Sequence, residues 1–289
     1  MKVIRTRKEL EEYVAPYRQA GSSVALVPTM GALHAGHISL MRRAVAENDI
    51  TVASVFVNPT QFNDKRDLEA YPRTEEADFR LLDEAGVSAV FAPAVDEVYP
   101  PEEAEREKHT FDLGRVAEVM EGAYRPGHFQ GVAQIVSKLL RLASPDRAYF
   151  GEKDFQQIAV IRRMTETEGI NVEIVACPIC RESDGLALSS RNVRLTPSQR
   201  AVAPGIFRVL AESVGYSRDH SVRQTREYVE SRVNALPECK VEYFSIVAAD
   251  TLEDAGSWDC ADRITGCITV YCGDVRLIDN ITYRPLQQA

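Results

Sequence analysis

The 289-residue chain has no apolar run approaching the roughly 20 residues that a membrane-spanning helix requires. Its opening stretch, MKVIRTRKELEEYVA, carries too many charges for the apolar segment of a secretory signal. Both observations lead to the expectation of a cytoplasmic protein with no membrane partner. A basic excess is also missing: 34 Lys and Arg stand against 43 Asp and Glu, a formal net charge of -9. That balance argues against nucleic acid, because neutralising phosphates takes clustered cations. Small charged ligands stay open, since a local basic pocket can exist on an acidic protein. Internal repeats and low-complexity linkers are absent as well.

Cysteine is missing from the N-terminal half. All six (Cys177, Cys180, Cys239, Cys260, Cys267, Cys272) lie in the C-terminal half, which is not the even scatter of a small disulfide scaffold, so reduced thiols are expected. Cys177-Pro-Ile-Cys180 has the C-x-x-C spacing of a zinc or redox motif, but no second such pair accompanies it. Metal or redox use is one reading. Buried or half-buried structural thiols are the favoured one, and no protein-held metal is expected.

What is present is an alternation of strand and helix patterns. SSVALVP reads as a buried strand, ISLMRRAVAEND as a helix and ITVASVFVNP as a second strand rich in β-branched residues. Residues 74–84 read as another helix, VSAVFAP as a third strand, and NVEIVACPI, after the helical DFQQIAVIRRMTETEG, as a later one. Such alternation implies an α/β fold, a Rossmann-like parallel sheet with helices on both faces. After about residue 180 the texture changes. A helix opened by Pro197, a polar helix near 221–235, and the stretches KVEYFSIVAAD and RITGCITVYCG suggest a smaller α+β domain. The chain is long for one core, given typical domains of roughly 100 to 150 residues. Two domains, 1–178 and 179–289, are therefore expected.

The segment VPTMGALHAGH places His34 and His37, two of only five histidines, where the first strand hands over to a helix. A βα loop at the carboxyl end of a strand is where open parallel sheets bind ligands, and a helix N-terminus offers N–H groups and partial positive charge to phosphate. Gly31 and Gly36 let backbone approach a nucleotide closely. The plainer reading is two exposed polar loop residues. FVNPTQFN follows the second strand, so Asn58 and Gln61 also fall at a carboxyl end, where neutral amides can hold carboxylate and hydroxyl groups without titrating. Turn chemistry at Asn58-Pro59 is the plainer reading there.

Seven segments in order, VPTMGALHAGH, FVNPTQFN, DLEAYPRT, RPGHFQGV, FGEKDFQQ, DGLALSSRN and RLIDN, span residues 27–280. Together they make the chain resemble the pantoate:β-alanine ligases of the HxGH nucleotidyltransferase superfamily. The resemblance implies a two-step reaction: pantoate attacks the α-phosphate of ATP to give pantoyl adenylate and pyrophosphate, then β-alanine displaces AMP to give pantothenate. It implies an ATP site at Pro28, Thr29, Met30, Gly31, His34, Gly36, His37, Gly151, Lys153, Asp154, Cys180, Leu188, Ser189, Ser190 and Arg191. His34, His37 and Lys153 would be catalytic: the histidines at the phosphates, with His37 the nominee for proton donor, and Lys153 the cation for the α-phosphate. Asp154 would accept from ribose hydroxyls. Mg²⁺ would arrive bound mainly to the ATP phosphates.

By the same resemblance Gln61, Gln157 and Asn58 would bind pantoate, with Gln61 and Asn58 also near β-alanine. Glu152, Lys153 and Asp154 could instead form a solvated charge cluster. Ser189, Ser190 and Arg191 offer two hydroxyls and a forked cation to polyphosphate, in a segment resembling a mobile loop that closes over ATP. An Asp-Gly turn followed by serines is the alternative. Arg125 and His128 either attract the β-alanine carboxylate or brace the sheet, and Tyr71 either walls the pocket or makes a dimer contact. A homodimer is implied. Cys177 and Cys180 depart from the family pattern: Cys180 stands where an apolar residue beside the adenine is expected, with Arg181 next to it as a group able to raise its thiolate fraction. Two other readings share parts of this set. Another HxGH nucleotidyltransferase would keep His34 and His37 without the two amide motifs. A non-catalytic Rossmann-like module would have no need of Lys153 together with Ser189, Ser190 and Arg191.

Overall fold

The buried apolar stretches of the first half become the central strands of a parallel sheet. In the computed structural model, which describes residues 1–63, 65–101 and 109–284, the chain divides into two compact units. One is Met1–Glu152 with Gln157–Pro178; the other is Lys153–Gln156 with the chain from Ile179 onward. The sequence expectation put Lys153 and Asp154 in the first domain. They group with the second because Asn280 Nδ2 donates to Lys153 O at 3.2 Å and the Arg263 guanidinium lies over the Phe155 ring at 5.6 Å.

The first unit holds strands β1 (Lys2–Ile4), β2 (Val24–Thr29), β3 (Ile50–Val55), β4 (Ala89–Phe91), β5 (Arg147–Gly151) and β6 (Glu173–Cys177). All pair in parallel in the order β1-β4-β3-β2-β5-β6. Helices α1 (Arg7–Gln19), α2 (Ala35–Glu47), α3 (Lys65–Glu69), α4 (Glu75–Glu84), α5 (Val95–Val98), α6 (Glu121–Tyr124), α7 (His128–Ala143) and, from Gln157 onward, α8 (Phe155–Thr167) complete it. Strand parity assigns the two faces. Val24, Leu26, Ile50, Val52 and Phe150 pack with Leu10 and Val14 of α1, Val132 and Ile135 of α7 and Ile161 of α8. Ala25, Val27, Ala53 and Tyr149 pack with Leu40, Met41 and Ala44 of α2 and Leu82 of α4. A strand buried on both faces reads as a continuous apolar run, which is how Val24–Val27 reads.

Sheet order reverses beside β2, which pairs with β3 on one side and β5 on the other. The carboxyl ends flanking such a reversal form a crevice suited to ligands. They deliver, in turn, the loop after Thr29, the turn after Val55 and the turn after Gly151.

The second unit carries α9 (Pro197–Val202), α10 (Pro204–Tyr216), α11 (Val222–Asn234) and an antiparallel sheet β7 (Cys239–Ala248), β8 (Ile264–Cys272), β9 (Val275–Arg284). Thr196 with Gln199, and Ser221 with Gln224, form capping boxes that start α9 and α11, where side chains satisfy the first N–H groups. Val209 and Leu210 of α10 and Val229 and Val233 of α11 cover the sheet through Phe244, Ile246, Ile268 and Tyr283.

All six cysteines are free thiols. Cys239 and Cys272 face each other across β7 and β8 with sulfurs 3.8 Å apart, and burial pushes the Cys239 thiol up to about 12. Burial also raises Cys177, against the opposing pull of Arg43, whose Nη1 lies 3.6 Å from its sulfur. Only the thiolate alkylates readily, and Cys260 is exposed. At about pH 8 a small alkylating reagent is therefore expected to modify Cys260 first and to reach Cys177, Cys239 and Cys272 only on unfolding. Peptide mapping after timed labelling checks the order; labelling of Cys239 at the rate of Cys260 would contradict its burial.

Candidate active site

The loop after β2 turns on Thr29, whose hydroxyl donates to Ser54 O at 2.6 Å and accepts from Gly31 N at 3.2 Å. Pro28 lies within β2, opposite Ser54, so the strand runs one residue past the proline before the loop begins. Gly31 and Ala32 then adopt positive φ of 79° and 50°. At Gly31 a Cβ would lie 3.0 Å from Asp78 Oδ2 and 3.1 Å from Val55, so the position needs glycine for space as well as for conformation. The next two N–H groups, of Ala32 and Leu33, donate to the carboxylate of Asp78 at 2.9 and 2.8 Å.

His34 is the N-cap of α2. Its Nδ1 accepts from Gly36 N at 3.2 Å, while His37 Nδ1 accepts from His34 N at 3.3 Å, a capping box built from two imidazoles. The rings lie 4.0 Å apart. A ring nitrogen that accepts carries no proton, so each neutral imidazole holds its hydrogen on Nε2 and presents a donor there. The helix start and both histidines thus supply N–H donors without a formal charge, an arrangement suited to phosphate oxygens.

The turn after β3 is a 3-10 segment, Pro59–Gln61, capped by Asn58. Asn58 is 1% exposed. Its Nδ2 donates to Gln61 Oε1 and Gly131 O, each at 3.1 Å, and its Oδ1 accepts from Tyr99 OH, Thr60 Oγ1 and Thr60 N. With both amide hydrogens engaged, Asn58 orients Gln61 and has no donor left for a substrate, which departs from the ligand role the resemblance implies. Gln61 Nε2 reaches Met30 Sδ at 2.9 Å, joining the turn to the β2 loop.

His128 is buried at the start of α7. Its Nδ1 lies 2.8 Å from Gln61 O and its Nε2 3.1 Å from Arg125 Nη1, so Nδ1 donates to the carbonyl and Nε2 accepts from the guanidinium. Arg125 is also 3.6 Å from Glu121. These contacts tie the motif to the Gln61 turn. Tyr71 is buried, its ring edge-on to Phe62 at 5.7 Å. Gln157 is half-buried in the first turn of α8, and Gly151 closes β5.

In the second unit, Lys153 lines a small cavity with Ala187, Ser189, Asn192, Phe207 and Asp279. Ser189 Oγ accepts from Arg191 N at 3.3 Å and begins the turn Ser190–Arg194, with Ser190 and Arg191 half-buried. Leu188 N donates to Cys180 O at 3.0 Å. Asp154 is exposed and Cys180 half-buried. Arg181, next to Cys180, pairs bidentately with Asp279 at 2.6 and 2.9 Å and stacks on Phe207 at 3.7 Å. Among the described residues no group of three or more His, Cys, Asp or Glu side chains is placed to hold a metal ion. None of the described helices is long and apolar enough to cross a membrane.

Comparison with known proteins gives this geometry a family. A model of the pantoate-β-alanine ligase family matches residues 2–282. The chain belongs to the pantoate-β-alanine ligase family. The pantothenate synthetase of Porphyromonas gingivalis W83 is 60% identical over 98% of this chain and 99% of its own, and that of Cytophaga hutchinsonii is 45% identical over 96% and 98%. The crystal structure of pantothenate synthetase from Thermus thermophilus aligns with a TM-score of 0.91 at 43% identity, over 99% of this chain and 100% of that one. A Francisella tularensis pantoate-β-alanine ligase, complexed with beta-gamma ATP and β-alanine, aligns at 0.80 with 32% identity over 98% of each chain.

Several residues that support the candidate segments within each unit carried no role in the sequence reading. Asp78 lies on the apolar stripe of α4, one turn before Leu82. Asp279 and Asn280, both buried, fix Arg181 and the Lys153 backbone. Gly131 lets α7 approach the Gln61 turn: a Cβ there would lie 2.4 Å from Thr60 O and 2.8 Å from Gln61 Cα. Neither backbone can yield cheaply. Gly131→Ala is therefore expected to cost about 1–3 kcal/mol of stability, as overpacking does. Thermal denaturation checks it, and an unchanged Tm would mean that α7 and the turn are not in contact.

Proposed function

We propose that this chain is an ATP-dependent ligase that condenses pantoate with β-alanine to pantothenate through pantoyl adenylate, releasing AMP and pyrophosphate. The observation that carries this reading, beside the family membership, is the 2.9 Å contact between Gln61 Nε2 and Met30 Sδ. It sets an amide suited to a hydroxy acid directly against the loop suited to phosphates. A carboxylate held there sits next to the α-phosphate it must attack, and positioning of that kind supplies a large part of a bimolecular barrier.

In the first step a pantoate carboxylate oxygen attacks the α-phosphorus and the bond to pyrophosphate breaks. His34 and His37 donate from Nε2 to the phosphates, and Lys153 neutralises charge building on the α-phosphate. Because His37 Nδ1 is occupied by a backbone N–H, its role is hydrogen-bond donation; pyrophosphate leaves without needing its proton. Mg²⁺ enters with ATP, held mainly by the phosphates, and no step is assigned to it. In the second step the β-alanine amine attacks the acyl carbon, loses a proton, and AMP departs.

Gln61 and Gln157 hold pantoate in this reading. Asn58, His128 and Arg125 keep Gln61 in place, and Tyr71 backs the same turn through Phe62. Gly151, Asp154, Cys180, Leu188, Ser189, Ser190 and Arg191 complete the ATP contacts. In this reading the first unit takes nucleotide and pantoate, the second, which includes Lys153, takes ATP, and the protein is a cytoplasmic homodimer.

An adenylate intermediate requires labelled pyrophosphate to exchange into ATP with pantoate present and β-alanine absent; pantothenate formation with no exchange would contradict it. Lys153→Ala should lower that exchange by about 10²- to 10³-fold in a folded protein, the typical loss for one donor aimed at transition-state charge. Near-normal turnover would return Lys153 to the solvated surface. Gln61→Ala and Gln157→Ala should weaken pantoate and spare ATP. Loss of ATP affinity with pantoate binding intact would mean the two substrates are placed the wrong way round.

A further inference from the structure

Asp78 is 1% exposed, on the face of α4 that packs into the core through Leu82 and, just past the helix end, Ala85. A carboxylate at such a position is costly unless hydrogen-bonded. Here Oδ2 accepts from Ala32 N at 2.9 Å, and Oδ1 accepts from Leu33 N at 2.8 Å and from Thr74 Oγ1 at 3.1 Å. All three donors are neutral. The first turn of α4 adds its own partial positive charge.

Two features of the loop show what this carboxylate does. Gly31 and Ala32 are both left-handed, and for Ala32, with φ of 50°, that conformation is strained and persists only when its surroundings enforce it. The two N–H groups that Asp78 takes, those of Ala32 and Leu33, bracket the strained residue. His34 follows directly and begins α2. A negative charge beneath an anion-binding loop also opposes phosphate electrostatically, so its benefit to such a site lies in geometry.

We propose that Asp78 is a positioning residue for adenylation: its carboxylate holds the left-handed Gly31–Ala32 turn and thereby fixes where His34 and His37 present Nε2 to the phosphates. This rests on the phosphate-binding reading of the two histidines. Since pyrophosphate has left before the amine attacks, the effect of loosening the turn falls on the first half-reaction.

The test is Asp78→Asn, whose amide keeps one acceptor and turns an NH₂ group toward a backbone N–H. Pantoate-dependent pyrophosphate exchange should fall about 10²-fold, as expected for a misplacement of about 1 Å, while aminolysis of supplied pantoyl adenylate by β-alanine stays near wild type. Adding Ala32→Gly, which relieves the left-handed strain, should recover part of the lost exchange. If the Asn variant does not fold, Thr74→Val removes the hydroxyl donor to Asp78 Oδ1 and loosens the same carboxylate from the α4 side, and the same split is expected at smaller size. Equal loss in both half-reactions, or exchange at the wild-type rate, would overturn the proposal. His34→Ala in parallel separates the two layers. Normal exchange in that variant removes the phosphate reading itself, whereas impaired exchange there with unimpaired Asp78→Asn removes only the role of Asp78.

Discussion

The cap on α2 is the interaction on which the arrangement of the first unit turns. Most helices begin with a Ser, Thr, Asp or Asn whose oxygen accepts from an N–H of the first turn. Here the acceptors are two imidazole nitrogens, His34 Nδ1 on Gly36 N and His37 Nδ1 on His34 N. Using a ring for the cap leaves a second heteroatom on the same rigid group. It fixes the tautomer, the orientation and the donor atom in one step. Protonating Nδ1 would replace an acceptor with a donor and break the cap, so helix start and imidazole charge state are linked through the same bond. Everything upstream serves to bring the chain into α2 at one angle: the Thr29 hydroxyl, the left-handed Gly31 and Ala32, and the clamp from α4.

Parallel pairing then sets the second half of the site abreast of the first. Because Pro28 pairs with Ser54 and Thr29 with Val55, the β2 loop and the β3 turn leave the sheet at the same level. Gln61 meets Met30 as a consequence of that register. The turn carrying Gln61 is short and would be free to shift without its supports. Asn58 satisfies its interior, His128 and Arg125 hold its last carbonyl, and Gly131 admits the α7 backbone beneath it. The result is a neutral amide held from several sides on rigid elements, in keeping with the need to pre-position reacting groups.

What the sequence made legible were residues whose chemistry is local. His34 and His37 sit three apart at a strand end, and alternating apolar segments gave the parallel sheet. Residues whose meaning depends on distant partners were not legible. Asp78 acts on residues 45 and 46 positions away, and in its own helix it reads as one more surface acid beside Glu75 and Glu76. Asn58 was picked out as polar and well placed, but only the fold shows its amide hydrogens already engaged. Strand β5 is five residues opening on Arg147, and β9 carries Asp279 and Asn280 among its buried positions, so neither shows a plain apolar pattern. The placement of Lys153 with the second unit likewise follows from Asn280, 127 positions later.

An acidic chain that handles a polyphosphate raises the question of where its positive charge resides. Many arginines are already engaged with acids: Arg5 with Glu75, Arg43 with Glu47, Arg181 with Asp279 and Arg200 with Asp184. In the β2 loop and the β3 turn the groups that bear on the site are instead imidazoles, amides and backbone N–H groups. Fixed dipoles of this kind stabilise developing charge with little reorganisation, and salt screens them less than it screens exposed cations. They also avoid a deep electrostatic well for pyrophosphate, which must leave once the adenylate has formed. The acidic net charge of the whole chain, which argues against nucleic acid, is therefore compatible with a small polyphosphate ligand.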